Sequence, residues 1–297
     1  MLKTHLQTFN LLSDFQWGFR KQRSTEDLLL HITELWHQTL DEDKTVVVLF
    51  IDFQKAFDSV SHEILLKKLS ASGVSGALYE YLLSYLVNRT QYTVINGTKS
   101  EKAQVDFGVP QGSLIGPDFF SLNVNDMPEK VQQGGEVDLF ADDSTAMETG
   151  DSVDEAMFKM KHTAEALDKY ASKNSLTIHP KKCKIIIFSR RKFTGPLPQV
   201  TINGKHIEDV NSHKCLGITI DKKLSWDKHT PNICKSFAAK IKKLYNMRSM
   251  SKTTLKTIYF QGILPSVTYG IGIWGSSNHL SDVNKIHNKS SKICDED

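Results

Sequence analysis

Val137-Asp138-Leu139-Phe140-Ala141-Asp142-Asp143-Ser144-Thr145-Ala146-Met147 is the stretch on which the reading of this chain turns. Apolar residues flank two adjacent carboxylates, and neither side carries a helix signal. The pattern predicts a short hairpin with Asp142 and Asp143 at its tight turn. Adjacent carboxylates repel, and burying them without partners is costly. A divalent cation neutralises them best, and Mg²⁺ favours carboxylate oxygen. On the dipeptide alone, a solvated acidic turn is the plainer reading.

A second stretch changes the balance. Val46-Val47-Val48-Leu49-Phe50-Ile51 is an apolar, β-branched run, the signature of a buried strand. It ends in Asp52, followed by Phe53-Gln54-Lys55-Ala56-Phe57-Asp58. A carboxylate at a strand end, just before a turn, is a natural third metal ligand. Strand-end and hairpin carboxylates together suit two ions about 3.5–4 Å apart, as in-line phosphoryl transfer requires. The alternative for Asp52 is a helix N-cap, a role that Asp58 or Ser61 would fill better.

These residues carry a resemblance. Phe-Ile-Asp-Phe-Gln-Lys-Ala-Phe-Asp, then Gly108-Val109-Pro110-Gln111-Gly112-Ser113-Leu114-Ile115-Gly116-Pro117, then Phe-Ala-Asp-Asp, resembles a reverse transcriptase of the LINE-type, non-LTR retrotransposon class. Three motifs in this order are far more specific than any one. The similarity runs from about Leu11 to Ile293.

Composition agrees with a large globular protein. The chain has 297 residues, 39% hydrophobic and 24% charged, enough to bury a core and hold two or three subdomains. No run of 18 apolar residues suggests a membrane span, and the start lacks a signal-peptide core. Cys183, Cys215, Cys234 and Cys294 lack metal-type spacing and read as reduced thiols of an intracellular protein, nuclear or cytoplasmic and not secreted. The net charge of +3 hides an asymmetry. Residues 1–150 carry 12 basic and 21 acidic residues, whereas residues 151–297 carry 25 and 13. An acidic half beside a basic half suits metals on one part and a nucleic-acid backbone on the other. Ordinary charged helix surface is the alternative.

Along the chain, Arg20, Lys21 and Arg23 form a basic cluster after Gly18, which sits between two aromatics. Ser24 would cap a helix whose core face is Leu28, Ile32, Leu35, Trp36 and Leu40. Ser61 to Ser70 reads as a capped helix with Ile64, Leu65 and Leu69 inward and Lys67 and Lys68 outward. Leu78 to Val87 follows as another. Asn96-Gly97 and Asn203-Gly204 each mark a hairpin. Phe119 to Asn125 and Val153 to Lys173 are helices, the latter with Met157, Met160, Ala164 and Leu167 on its inner face. A basic helix over Pro231–Ser249 and another over Thr253–Ile263 close the pattern.

The resemblance implies an α+β right-hand polymerase: an antiparallel palm sheet backed by helices, with partial fingers and a helical thumb. Residues 1–43 would be partial fingers and a leading helix, 44–225 the palm, and 226–297 the thumb and a truncated extension. Asp52, Asp142 and Asp143 would hold two Mg²⁺ ions, with Mn²⁺ as a substitute and the Phe53 carbonyl as a further ligand. Phe57 would gate the sugar, or simply pack. Gln111 and the Gly112 backbone would meet the nucleotide–template region, and Arg20 the template or nucleotide, or merely a loop. Lys182 would protonate or neutralise the leaving pyrophosphate, or lie solvated. Leu216 and Gly217 would be the primer grip, or an edge hairpin, and Lys235, Lys240 and Lys243 would track the duplex. The partners implied are an RNA template, a DNA primer and deoxynucleoside triphosphates.

The chain also departs from that family's pattern. Nothing before Gln16 matches the usual basic fingers segment, the preceding endonuclease is missing, and the run after the thumb is short. Asp118 stands where an apolar residue is usual, either solvent-facing or damaging. The expectation is therefore a fragment of a longer polymerase-encoding frame. The competing expectation is a catalytically inactive remnant that folds as a nucleic-acid-binding palm. An unrelated carboxylate-dependent nuclease is a third, remote one.

Overall fold

The computed structural model describes residues 1–110, 112–132, 134–193 and 195–295. In chain order it begins with helices α1 (Leu2–Thr8) and α2 (Thr25–Asp41), strand β1 (Thr45–Asp52), and helices α3 (His62–Ala71) and α4 (Gly76–Leu86). Four short strands follow, β2 (Thr90–Gln91), β3 (Val94–Ile95), β4 (Thr98–Lys99) and β5 (Ala103–Gln104), then α5 (Gly116–Val124) and α6 (Met127–Val131). Next come β6 (Glu136–Phe140), β7 (Asp143–Gly150), α7 (Val153–Lys173) and β8 (Lys184–Phe188). Strands β9 (Thr201–Ile202), β10 (Lys205–His206), β11 (Glu208–Asp209), β12 (Ser212–Cys215) and β13 (Ile218–Asp221) precede the last helices. These are α8 (His229–Asn246), α9 (Lys252–Thr257), α10 (Pro265–Thr268), α11 (Ile271–Trp274) and α12 (Leu280–Asp295). The chain divides into two compact units: Met1–Thr25 with Thr39–Asp209, and Glu26–Gln38 with Val210–Asp297. Among the described residues no helix is long and apolar enough to cross a membrane.

The first unit is built on a five-stranded sheet in the order β11-β8-β1-β7-β6. Strand β1 is central because both its faces are apolar. Val47, Leu49, Ile51 and Phe53 join the core cluster on one face, and Val46, Val48 and Phe50 are buried on the other. Its neighbours β7 and β8 run antiparallel to it, and β6 antiparallel to β7. The α+β palm of the sequence reading is present, with one parallel addition: β11 pairs with β8 through Glu208 and Asp209. Helix α7 packs Met157, Met160, Ala164 and Leu167 into the same core. Truncating Met160 or Leu167, each fully buried, would cost about 2–5 kcal/mol. Ser152 caps this helix by accepting the Glu155 amide at 3.2 Å.

One expectation needs correction. Lys68 does not point outward with Lys67. Its ammonium turns inward and donates to Asp126 Oδ1 at 2.7 Å and to the Tyr170 hydroxyl at 3.3 Å, whereas Lys67 stays exposed on Glu63. The partners lie on α6 and α7, far away in sequence, so helical periodicity alone carried no sign of them. The Asn96-Gly97 and Asn203-Gly204 turns both close hairpins, with all four residues at positive φ as type I′ turns require.

The second unit carries the β12–β13 hairpin, turned at Leu216 (φ 44°) and Gly217 (φ 89°). Tyr269 donates its hydroxyl to the Leu216 carbonyl at 2.7 Å and fixes the tip. Asp221 closes the following turn by accepting the amides of Lys223, Ser225 and Trp226. The basic helix begins at His229, two residues earlier than expected. The next helix is α only to Thr257 and then widens into a π-helical turn over Ile258–Ile263, where the Leu264 amide reaches the Tyr259 carbonyl at 2.8 Å. Pro265 follows and has no amide with which to continue an α ladder.

Candidate active site

The site grows from the pairing of β1 with β7. Their register sets Asp52 opposite Asp143. On the other side of β1, the Asp52 carbonyl accepts the His179 amide at 2.8 Å, and the Gln54 amide reaches the Thr177 carbonyl at 2.7 Å. Backbone groups alternate sides along a strand. Asp52 therefore spends its amide and carbonyl away from β7, which makes Asp52–Asp143 a pair without mutual backbone hydrogen bonds. Such pairs hold their α-carbons about 4.5 Å apart and bring the side chains closest. By the same alternation the Phe53 carbonyl faces the β7 side, toward the turn.

That turn lies one residue earlier than the sequence predicts. Phe140 pairs with Asp143, so Ala141 and Asp142 alone form the loop and Asp143 opens β7. Ala141 takes φ 56°, where a Cβ is strained. Asp142 and Asp143 are exposed at the end of the sheet. Packing against the sheet raises the Asp143 pKa, and the charges of Asp142 and Asp52 raise it further. Asp143 therefore lies within electrostatic reach of both Asp142 and Asp52.

Among the described residues, Lys182 is the cation beside this group. Its Nζ lies 3.3 Å from Asp52 Oδ1 and 3.4 Å from Oδ2. Oδ1 is shielded from solvent and accepts no hydrogen bond, because the ammonium is out of line for one. The loop bearing Lys182 is stitched to β1 through the Phe53–Ile178 bridge. The buried Cys183 Sγ accepts the Asp52 amide at 3.4 Å, and burial pushes its thiol pKa up. Reading the sequence missed this contact, since nothing local marks Cys183 as a partner of Asp52.

The donor types suit divalent cations: three hard carboxylates, a carbonyl facing the same side, and Asp52 Oδ1, which accepts no hydrogen bond. Other candidate residues lie around this centre or apart from it. Phe57 is half-buried and stacks on Phe120 with centroids 4.8 Å apart, and its carbonyl accepts the Val109 amide at 2.9 Å. Gly108 (φ 87°) lies so close to Asp58 that a Cβ would stand 3.0 Å from its carbonyl oxygen. Gly112 (φ 80°) has open space where a side chain would be. Gln111 lies outside the described residues. Arg20 is engaged by its own loop, donating to the Ser13 carbonyl at 2.6 Å and the Gln16 carbonyl at 3.4 Å. Asp118 sits half-buried in the first turn of α5, lining a cavity of about 230 Å³ with Lys3, Arg20 and Lys21. Leu216, Gly217, Lys235, Lys240 and Lys243 belong to the second unit. There Lys235 and Lys243 are exposed, away from the buried Phe237 and Leu244, and Lys240 donates to Ser266 Oγ at 2.5 Å.

Comparison with known proteins accords with this geometry. The reverse transcriptase (RNA-dependent DNA polymerase) family matches residues 1–220. The RNA-directed DNA polymerase from mobile element jockey of Drosophila melanogaster is 30% identical over 288 residues, covering 93% of this chain and 31% of that protein. The probable RNA-directed DNA polymerase from transposon X-element of the same species is 29% identical over 297 residues, covering 97% and 32%. The chain thus spans about a third of the length of these curated relatives. Among solved structures, telomerase from Candida tropicalis with a fragment of telomeric RNA aligns with all of this chain and 46% of that one. Its TM-score is 0.55 at 12% identity, a likeness of fold. The family match takes in β1 with Asp52, the glycine loop and the Asp142–Asp143 turn together, and the chain belongs to the reverse transcriptase family, with non-LTR retrotransposon polymerases among its relatives.

Proposed function

We propose that this chain is the catalytic palm region of an RNA-directed DNA polymerase of a non-LTR retrotransposon. It extends a DNA primer on an RNA template with deoxynucleoside triphosphates, inside the cell. The observation that carries this reading is the facing of Asp52 and Asp143 across β1 and β7, with Asp142 in the adjoining turn. Asp52, Asp142 and Asp143, with the Phe53 carbonyl, would hold two Mg²⁺ ions, for which Mn²⁺ would substitute. Metal bound there would supply Lewis-acid activation of the primer 3′-hydroxyl and charge neutralisation for the triphosphate and the leaving pyrophosphate.

The chain's own residues do the rest. The β1–β7 register fixes the distance between the first and third carboxylates. Lys182, exposed beside Asp52, is placed to neutralise or protonate the leaving group. Phe57, held by Phe120, presents a ring edge against a ribose 2′-hydroxyl and favours deoxynucleotides. The loop at Gly112 admits a base close to the backbone, and Gln111, its neighbour in sequence, contacts the nucleotide–template region. The exposed lysines of α8 supply a salt-dependent hold on the duplex phosphates, and the Leu216–Gly217 hairpin tip supports the primer.

The test is extension of an oligo(dT) primer on poly(rA) with dTTP and Mg²⁺, run beside Asp142→Asn. Extension by the parent and none by the variant is the expected result. If neither extends while both bind template–primer with a steep salt dependence, the polymerase assignment of this chain is withdrawn in favour of a binding palm.

A further inference from the structure

The turn that carries Asp142 is poorly held by its own residues. Ala141 occupies a conformation that costs roughly 1–2 kcal/mol for a residue with a Cβ. The two carboxylates after it repel each other. Support comes from a segment more than a hundred residues earlier. Phe15 to Trp17 lies beside β6 as a short parallel edge: the Leu139 amide donates to the Phe15 carbonyl at 2.9 Å, and the Trp17 amide donates to the Leu139 carbonyl at 2.7 Å. Trp17 Nε1 donates to Asp138 Oδ1 at 2.8 Å.

Gly18 then passes over the turn itself. A Cβ at this position would lie 2.5 Å from the Ala141 amide nitrogen and 3.2 Å from the Phe140 carbonyl carbon. Both are backbone atoms and cannot swing aside. Gly18 has no positive φ, so contact and not conformation is what demands glycine here. The segment is anchored in turn: the Gly18 amide donates to Gln16 Oε1 at 3.0 Å, and Arg20 and Arg23 both donate to the Gln16 carbonyl.

We propose that Gln16–Gly18 is a brace for the metal-binding turn, in which Gly18 lies flat against the Ala141 amide and sets where the Asp142 carboxylate stands. Gly18 and Trp17 are positioning residues: they act through the turn and touch neither substrate nor metal. This rests on the reading of Asp142 as a metal ligand. Any side chain at position 18 displaces the turn by about 1 Å, and a misplacement of that size costs on the order of 10²-fold in rate.

The experiment compares the parent chain, Gly18→Ala and the milder Trp17→Phe, which removes the indole N–H that Asp138 accepts and trims the ring under Arg23. Mn²⁺ binding is read by electron paramagnetic resonance, primer extension by kcat and KM, and template–primer binding by Kd. Amide exchange at Ala141 and Asp142 reports the turn directly. Gly18→Ala is expected to weaken Mn²⁺ binding, to lower kcat by on the order of 10²-fold, and to speed exchange at the turn, with Kd and the dTTP KM within about twofold of the parent. Trp17→Phe shifts the same readouts by less, and carries the test if Gly18→Ala does not fold. Unchanged Mn²⁺ binding and unchanged turn exchange in the folded variants overturn the brace. Failure of the parent itself to bind Mn²⁺ overturns the metal-site reading, and the exchange data still judge whether position 18 holds the turn.

Discussion

Two acidic clusters in the first unit invite comparison. Around Asp126 the protein supplies its own neutralisation: Lys68 and Tyr170 donate to Oδ1 at 2.7 Å each, and Lys130 donates to Oδ2. Burial alone would raise the Asp126 pKa, but those three donors outweigh it and hold the carboxyl at about 2. Around Asp143 the direction is reversed. Partial desolvation by the neighbouring sheet and the charges of Asp142 and Asp52 raise the pKa of this solvent-accessible carboxyl. The first cluster is a finished piece of structure that ties α3, α6 and α7 together. The second sets like charges within electrostatic reach of one another, with Lys182 the cation beside Asp52 among the described residues. Carboxylates brought together without matching cations are a stability cost, and such a cost is expected where a ligand repays it.

The comparison can be broken most easily at the proposed catalytic cluster. Asp52→Asn is expected to lower primer extension by at least about 10³-fold, measured as single-turnover rate, with template–primer Kd unchanged. Extension within tenfold of the parent would remove Asp52 from the site. The next largest effect lies in the other cluster. Lys68→Met leaves Asp126 short of a partner in a half-buried place and should cost about 3 kcal/mol in urea unfolding, without changing Mg²⁺ dependence.

Asp126→Asn sharpens the comparison through pH. The folded pKa of Asp126 is depressed from 3.8 to about 2, so the unfolded chain binds more protons between those values. The stability it contributes, about 2 kcal/mol, is present above pH 3.8 and lost as pH falls toward 2. Acid unfolding followed by circular dichroism should therefore show a shallower acid limb in Asp126→Asn than in the parent. Smallest of all, Lys67→Ala removes an exposed pair with Glu63 and should leave the unfolding midpoint unchanged.

Much of this architecture is written locally. The β-branched run of β1 and the 3.6-residue spacing of α7 identify both elements, because each depends on neighbours within a few residues. The Asn-Gly pairs name their hairpins for the same reason. What is not legible is the pairing across distance. Nothing near Asp52 says that it faces Asp143 and not Asp142, since a strand register is fixed by contacts along the whole sheet. Lys68 looks like an outward lysine until Asp126 and Tyr170 are placed beside it. Gly18 is visible as a break between aromatics, but the Ala141 amide it touches lies on another strand. The motifs thus nominate the residues of the proposed site, whereas the devices that hold them are readable only in three dimensions.

The most direct test of the uncompensated carboxylate cluster is the unfolding midpoint of three proteins, each measured in EDTA and in saturating Mg²⁺. The proteins are the parent, the Asp142→Asn/Asp143→Asn double variant and Asp126→Asn. Binding to the folded state alone must raise its stability. Mg²⁺ should raise the midpoint of the parent and of Asp126→Asn and leave the double variant unmoved, and in EDTA the double variant should be at least as stable as the parent. A parent midpoint indifferent to Mg²⁺, or a double variant that is less stable in EDTA and still responds to the metal, would contradict it.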